Sequence, residues 1–374
     1  MSIPASSPDS FISAPELADR LAAGEPMTVL DVRQDADWTI ENPGATTIHM
    51  PAGEVPAHAD ELARDLTGPV VVLCNRGVTA QSVAPQLRAL GIDAMVVEGG
   101  MRGWIATLAA RHVDLGIDGL AVRQVQRPGR GCLSYVLAAG GEALVVDPAP
   151  DAGFYVAVAE QLGARITSVV DTHLHADHLS GARALCDQTG ATLRMSSAAI
   201  DRGVAYADRI QPLDDGDLIE LGGVAIRAIA LPGHTSDMTG LVVAGLALVA
   251  GDSLFADGIA RPDLQQGDPE GARAMARTLH ATLHERVLTL GDDVVLLPCH
   301  THPGVHAEAI APRLGDVRDA VDLLAIEDPV AFADALVSAM PPRPANYEAI
   351  IAVNSGMQDF DPDLESGGNS CASR

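Results

Sequence analysis

Thr172-His173-Leu174-His175-Ala176-Asp177-His178-Leu179-Ser180-Gly181 is the stretch that decides the fold of this 374-residue chain. Three histidines and one aspartate fall within six positions, directly after the apolar run 166–170. Strand residues two apart point the same way, and a following turn brings the next ligand-type positions back toward them. The spacing is not that of a helical HExxH motif, so the cluster belongs to a loop at the carboxyl end of a sheet, where open α/β sheets place their ligands. Three further segments repeat the pattern of an apolar strand ending in a ligand-type residue: Leu231-Pro232-Gly233-His234-Thr235, Ala250-Gly251-Asp252-Ser253 and Leu297-Pro298-Cys299-His300. Imidazole and carboxylate together suit zinc, iron or manganese. One such histidine would read as a hydrogen-bonded core residue; the repetition between His173 and His300 reads as a metal site. His49, His58, His112, His280, His284 and His306 lack that setting and read as surface or structural.

Outward from this cluster, strand-like runs alternate with helical patterns along nearly the whole chain, which predicts an α/β protein. Ahead of it lie a helix at 14–23, strands at 28–32 and 69–73, a helix at 81–90, a strand at 94–97 and a closing segment at 104–111. A less patterned stretch at 112–119 follows, with a boundary near residue 115. Segments 132–138 and 143–146 predict a hairpin turning at Gly140-Gly141, and 155–162 a helix. Strands at 224–230, 241–243, 246–249 and 294–297 follow, with a long helix at 271–288 among them. Past 311 the pattern is helical (317–325, 331–340), ending in a polar tail. The division is 1–115, 116–311 and a C-terminal extension, 312–374.

Composition excludes several classes. Lysine plus arginine number 24, all of them arginine, against 50 acids, for a formal charge of −26 and a pI near 4.6. Lysine Schiff-base chemistry, pyridoxal-phosphate anchoring and a Walker-type phosphate loop need an amine that is absent. The acidity argues against nucleic acid as a partner. Aromatics are 3%, so the cores must be aliphatic. Five cysteines, Cys74, Cys132, Cys186, Cys299 and Cys371, include no CxxC pair and make no disulfide framework. Cys132 and Cys186 read as core and Cys299 as buried beside a ligand. The start MSIPASSPDSF has neither the basic nor the apolar region of a signal peptide. Apolar runs such as 241–250 are too short to span a bilayer. The expectation is a soluble cytoplasmic protein with no membrane partner; a homo-oligomer stays open.

The series THLHADH, PGHT, GDS and a late strand-end histidine resembles the metallo-β-lactamase fold, an αββα sandwich with metal held at one edge, over residues 120–310. The resemblance implies one metal position at His173, His175 and His234, a second at Asp177, His178 and His300, and Asp252 bridging them. Within that superfamily, Gly258-Ile259-Ala260-Arg261-Pro262-Asp263-Leu264-Gln265-Gln266-Gly267 is similar to the persulfide dioxygenase (sulfur dioxygenase) branch, where an Arg-x-Asp-x-Gln-Gln-Gly run follows the bridging aspartate. That branch implies one Fe(II) per chain on His173, His234 and Asp252, with His175, Asp177, His178 and His300 around it and Arg261 near the carboxylates of glutathione. A two-histidine, one-carboxylate triad leaves positions open for O2 and a thiol persulfide, and the surrounding groups orient ligands or water. Glutathione-using relatives carry a tyrosine two residues after the late histidine; this chain has His302, which leaves the thiol carrier open.

Cys74 follows the strand at 69–73 and opens the turn Asn75-Arg76-Gly77-Val78-Thr79 before a helix. Backbone N–H groups at a helix N-terminus favour a thiolate and hold anionic sulfur, although a lone strand-end cysteine is more often buried and inert. With Asp31-Val32-Arg33 and Glu98-Gly99-Gly100-Met101-Arg102-Gly103-Trp104, this loop resembles a rhodanese domain over residues 10–112. That resemblance implies a persulfide on Cys74, with Arg76 and the loop amides stabilising the anion. The family's Gly-His-Ile-Pro-Gly-Ala element stands here as Ile40-Glu41-Asn42-Pro43-Gly44-Ala45.

The fold expected is therefore α/β: an N-terminal rhodanese-like domain, a metallo-β-lactamase αββα sandwich and a helical C-terminal extension. The function expected is oxidation of a low-molecular-weight thiol persulfide, such as glutathione persulfide, with O2 to thiol and sulfite, coupled to sulfane-sulfur transfer from or to thiosulfate through Cys74. One alternative is a binuclear zinc hydrolase of glyoxalase II type acting on a thioester. A second is a non-enzymatic sulfur carrier or sensor whose rhodanese domain only docks partners.

Overall fold

The structure is a computed structural model describing residues 10–36, 39–40, 42, 45–66, 68–265, 268–344, 346–365 and 372–373. Cys371, Glu41, Pro43, Gly44, Gln266 and Gly267, all singled out above, lie outside the described residues.

Strands β1 (Phe11–Ile12), β2 (Met27–Asp31), β3 (Ala45–His49), β4 (Val70–Leu73) and β5 (Ala94–Val97) form the first sheet, in the order β1-β5-β4-β2-β3. All its pairings are parallel. Every residue of Val70–Leu73 is buried, as a continuous Val-Val-Val-Leu run in a sheet covered on both faces requires. Helix Ala80–Ala89 covers one face and Ala14–Ala22 with Gly100–Ala106 the other.

The second sheet has seven strands: β6 (Ala109–Val113), β7 (Leu120–Arg127), β8 (Cys132–Ala139), β9 (Glu142–Val146), β10 (Arg165–Val170), β11 (Thr192–Met195) and β12 (Ile210–Pro212), adjacent in that order. The third is built of β13 (Leu218–Leu221), β14 (Val224–Ala230), β15 (Thr239–Val243) and β16 (Ala247–Val249). After the short β17 (Ile259–Ala260), which pairs outside it, β18 (Val295–Leu297) closes this sheet beside β16. The two sheets pack face to face: Leu137, Leu144 and Val146 of one meet Ile226, Leu241 and Val249 of the other in one apolar layer. Helices Ala152–Gln161 and Ala182–Thr189 cover the outer face of the seven-stranded sheet, and Pro269–Thr282 with Pro329–Ser338 cover the other. The result is the expected αββα sandwich, with ligand-bearing loops at one edge.

Three departures from the sequence reading have physical causes. Residues 109–113, which span the end of the closing segment read at 104–111 and the start of the less patterned stretch at 112–119, form an edge strand antiparallel to Leu120–Arg127, so the handover between sheets falls after helix Gly100–Ala106. Ala-Ala-Arg-His-Val shows too little alternation to announce an edge strand. The helix expected at 271–288 is Pro269–Thr282, capped by Asp268, followed by a π turn at Leu283–Val287 and a 3-10 turn at Leu288–Leu290. The polar tail contains helix Tyr347–Asn354 and the turn Pro362–Glu365, whose final carboxylate is only 3% exposed. Among the described residues, no helix is long and apolar enough to cross a membrane.

Candidate metal centre

Strand β10 ends at Val170, and the buried loop after it is pinned at its start by Asp147, the residue that follows β9. Asp147 accepts the Thr172 N–H at 2.7 Å and the Thr172 hydroxyl at 2.8 Å. That hydroxyl hydrogen is committed, so the Thr172 oxygen accepts from His173 Nδ1 at 3.0 Å, and Nε2 of His173 is left as a lone pair. His234 follows β14 by the same logic: its Nδ1 lies 2.7 Å from the Arg261 carbonyl, an acceptor only, so its Nε2 is also a lone pair. Gly233 supplies the bend before His234; its φ is +148°, and a side chain there would run into the backbone of Leu279. Asp252, after β16, takes a 2.6 Å bond from His300 Nδ1 on Oδ1 and keeps Oδ2 available.

These three atoms converge. His173 Nε2 and His234 Nε2 each stand 3.8 Å from Asp252 Oδ2, and the three lie within 4.8 Å of one another. All three are buried, and none has a hydrogen-bond partner among the described residues. Buried polar atoms without partners call for an explanation, and two imidazole lone pairs with one carboxylate oxygen fit a divalent transition-metal ion. Burial pushes the His173 imidazole well below its usual range, reinforced by His175 and His234. His234 is also lowered by burial, against the pull of Asp252. Both are therefore neutral, the form that binds a metal.

A second set surrounds the first. Asp177, His178, His300 and Cys132 lie together, fully enclosed. His300 Nε2 is 2.8 Å from Asp177, and His178 Nδ1 is 3.1 Å from the same carboxylate. Burial would raise Asp177, but His178 and His300 outweigh it and hold the carboxyl well below its usual range. Burial would lower His178, but Asp177 lifts it to about 9. Burial would raise Cys132, yet His178 and His300 bring it to about 6. His175, which the metallo-β-lactamase resemblance groups with His173 and His234 and the persulfide dioxygenase branch places around the metal, turns its Nε2 toward Asp147 (3.2 Å) and Asp171 (3.8 Å).

Arg261 is fully buried. Its guanidinium meets Asp263 at 2.7 and 3.1 Å and the carbonyls of Pro341 and Pro342 at 2.9 and 3.2 Å, while its own carbonyl holds His234. Gln265 bonds to the main chain and hydroxyl of Ser236 beside His234. His302 lines a cavity of about 560 Å³ between the two units with Thr39, Asn42 and Thr47.

In the first unit, Cys74 directly follows β4, with its Sγ 3.4 Å from the Ala80 N–H, the first residue of helix Ala80–Ala89. It borders a cleft of about 580 Å³ lined also by Arg33, Asn75, Arg76 and Thr79. Gly100 lets the next helix press against this loop, since a side chain there would collide with the Cys74 carbonyl. Arg33 is paired with Asp31 at 2.6 Å. Arg76 and Arg102, both largely exposed, stand 3.4 and 3.6 Å from Asp363 of the C-terminal segment.

Sequence reasoning missed Cys132, Asp147 and Asp171 as neighbours of the histidines. Asp147 and Asp171 each end an apolar strand, the same grammar that exposed the others. Nothing in the sequence pointed to Asn354, Arg130 or Glu365, which also reach this loop, or to Arg127, which holds Glu365.

The description "Metallo-beta-lactamase superfamily" fits residues 127–300, and "Rhodanese-like domain" fits residues 13–107. The chain is 31% identical over 189 residues to the human protein named persulfide dioxygenase ETHE1, mitochondrial, covering 50% of this chain and 70% of that one. It is 31% identical over 229 residues to a hydroxyacylglutathione hydrolase of Acidiphilium cryptum, covering 61% and 92%. The crystal structure of ETHE1 from Myxococcus xanthus matches with a TM-score of 0.54 at 25% identity, covering 63% of this chain and 99% of that one.

Proposed function

The chain belongs to the metallo-β-lactamase superfamily and carries a rhodanese-like domain, and from that premise we propose that its metal centre oxidises a low-molecular-weight thiol persulfide with O2. The overall change is RSSH + O2 + H2O to RSH, sulfite and two protons. The observation that carries this reading is the convergence of His173 Nε2, His234 Nε2 and Asp252 Oδ2, each buried and without a hydrogen-bond partner among the described residues. One Fe(II) held there would supply O2 activation and open positions for O2 and the persulfide sulfur. The chain's own groups set the stage. Arg261 and Thr172 fix the two histidine tautomers, and His300, held between the carboxylates of Asp177 and Asp252, orients Asp252. Burial keeps bulk water away from the reacting sulfur.

Cys74 would carry sulfane sulfur in the step thiosulfate + RSH to RSSH + sulfite, which balances without an outside oxidant. The Ala80 N–H beside its Sγ and the exposed Arg76 suit a transient persulfide and an oxyanion donor. The two units then share the persulfide as product and substrate, and tethering raises its effective concentration.

Metal analysis of protein purified without O2 tests the reading directly, with about one iron per chain expected. Two zincs per chain would overturn it. O2 uptake with glutathione persulfide should vanish in His234→Ala and in Asp252→Ala. The second reading, a binuclear hydrolase of a glutathione thioester, draws on the resemblance to hydroxyacylglutathione hydrolases. The orientation of His175 toward Asp147 and Asp171, away from a shared first site, weighs against it.

A further inference from the structure

The loop carrying His175, Asp177 and His178 is buried and belongs to no helix or strand, so its main-chain polar groups need partners from elsewhere. Those partners come from two places far along the chain. The Asn354 carboxamide donates to the carbonyls of His175 (2.9 Å) and His178 (2.8 Å) and accepts the Ser180 N–H (2.9 Å). Glu365 accepts the Leu179 N–H at 2.9 Å. Arg130 donates to the Asp177 carbonyl and to the Glu365 carbonyl. Glu365 is itself fixed by a two-pronged bond from Arg127. From the loop the connection runs on: Asp177 holds His300, His300 holds Oδ1 of Asp252, and Oδ2 of Asp252 faces the metal position.

We propose that Asn354 and Glu365 are positioning residues of the metal centre, by which the C-terminal segment sets the loop at 175–180 and, through Asp177 and His300, the angle of Asp252. This rests on the preceding reading only in taking His173, His234 and Asp252 as the ligands. Asparagine suits its place because one planar group offers two donors and an acceptor; a carboxylate there would face two carbonyls. Glutamate suits its place because it meets an N–H and a guanidinium at once.

The test uses Co(II) as the probe, titrated without O2 into the metal-free full-length protein and followed by its visible spectrum. Asn354→Ala and Asn354→Asp should each weaken Co(II) binding severalfold and alter the spectrum, less than the roughly 10–100-fold seen when a direct partner of a metal ligand is removed. Glu365→Gln keeps an acceptor for Leu179 but loses the charge facing Arg127, and should fall between these variants and the parent. Phe332→Ala empties part of the apolar layer under the same extension; it should lower Tm while leaving Co(II) affinity and spectrum unchanged. Far-UV circular dichroism and a cooperative urea transition report that each variant is folded. Parental affinity and spectrum in both Asn354 variants would overturn the proposal, as would an equal loss in Phe332→Ala. A parent that binds Co(II) through this site but takes up no O2 with persulfide would refute the functional reading and leave this one standing.

Discussion

Replacing Arg127 by methionine removes a buried cation while keeping most of the stem. In the parent, its guanidinium meets the Glu365 carboxylate at 2.8 and 2.7 Å and the Ile105 carbonyl, at the end of the rhodanese-like unit, at 2.8 Å. Both partners of the ion pair have side chains only 4% exposed. Burial by itself would raise the Glu365 carboxyl, but Arg127 outweighs it and holds the carboxyl below its usual value. Removing one member of such a pair leaves an uncompensated buried charge and costs about 3–5 kcal/mol, whereas replacing both with apolar residues of similar volume is often close to neutral. The pH dependence follows. A depressed folded pKa contributes stability that is present above the unfolded value, about 4.3, and is lost as pH falls through the folded one. Without Arg127 the Glu365 carboxyl moves up, so the variant's deficit is largest at neutral pH and shrinks toward about pH 4. Urea denaturation of Arg127→Met, Glu365→Met and the double variant at neutral pH and near pH 4.5 measures this as a double-mutant cycle. The double variant should lose less than either single one. A deficit below about 1 kcal/mol in Arg127→Met at neutral pH, or one that grows on acidification, would refute the reasoning.

Two further outcomes concern the first unit. Cys74→Ser should abolish thiosulfate:thiol sulfurtransfer while leaving persulfide-dependent O2 uptake in place; retention of sulfurtransfer would reduce the rhodanese-like unit to a docking role. Asp363→Ala removes the carboxylate that faces Arg76 and Arg102, so the KM for thiosulfate should fall about two- to fivefold at low salt, the range expected for exposed charge pairs, with kcat unchanged and the difference fading at high ionic strength.

The architecture was legible because its signals are local. Val70–Leu73 and Arg165–Val170 announce themselves as buried strands, and the ligand-type residues stand where those strands stop. That grammar gathers His173, His234 and Asp252 among the candidates, the family resemblance singles them out, and the structure brings them together. His175 was harder. Its spacing from His173 says that both leave the strand on one side, but which carboxylates capture its ring depends on Asp147 and Asp171, on two different strand ends. Arg261 shows the same limit: the family resemblance implies a place near the carboxylates of glutathione, and only the structure shows its guanidinium meeting Asp263 and two proline carbonyls. The edge strand Ala109–Val113 and the clamp at Asn354 and Glu365 were not legible at all. An edge strand with one partner needs little alternation, and a clamp is defined by distant pairings that leave no periodic trace.

The separation in sequence of that clamp bears on how the protein is made. The partners of Ser180 and Leu179 lie 174 and 186 residues further along the chain. During synthesis the histidines therefore exist long before the shape that holds them, and loop closure over so long a separation comes late in folding. A nascent chain offers imidazoles without a fixed geometry, and the finished site appears only when the segment between Tyr347 and Glu365 has docked. Metal loading thus becomes a marker of completed folding. Pulse-labelled protein should acquire protection of the Leu179 and Ser180 amides and metal affinity together, as one late event.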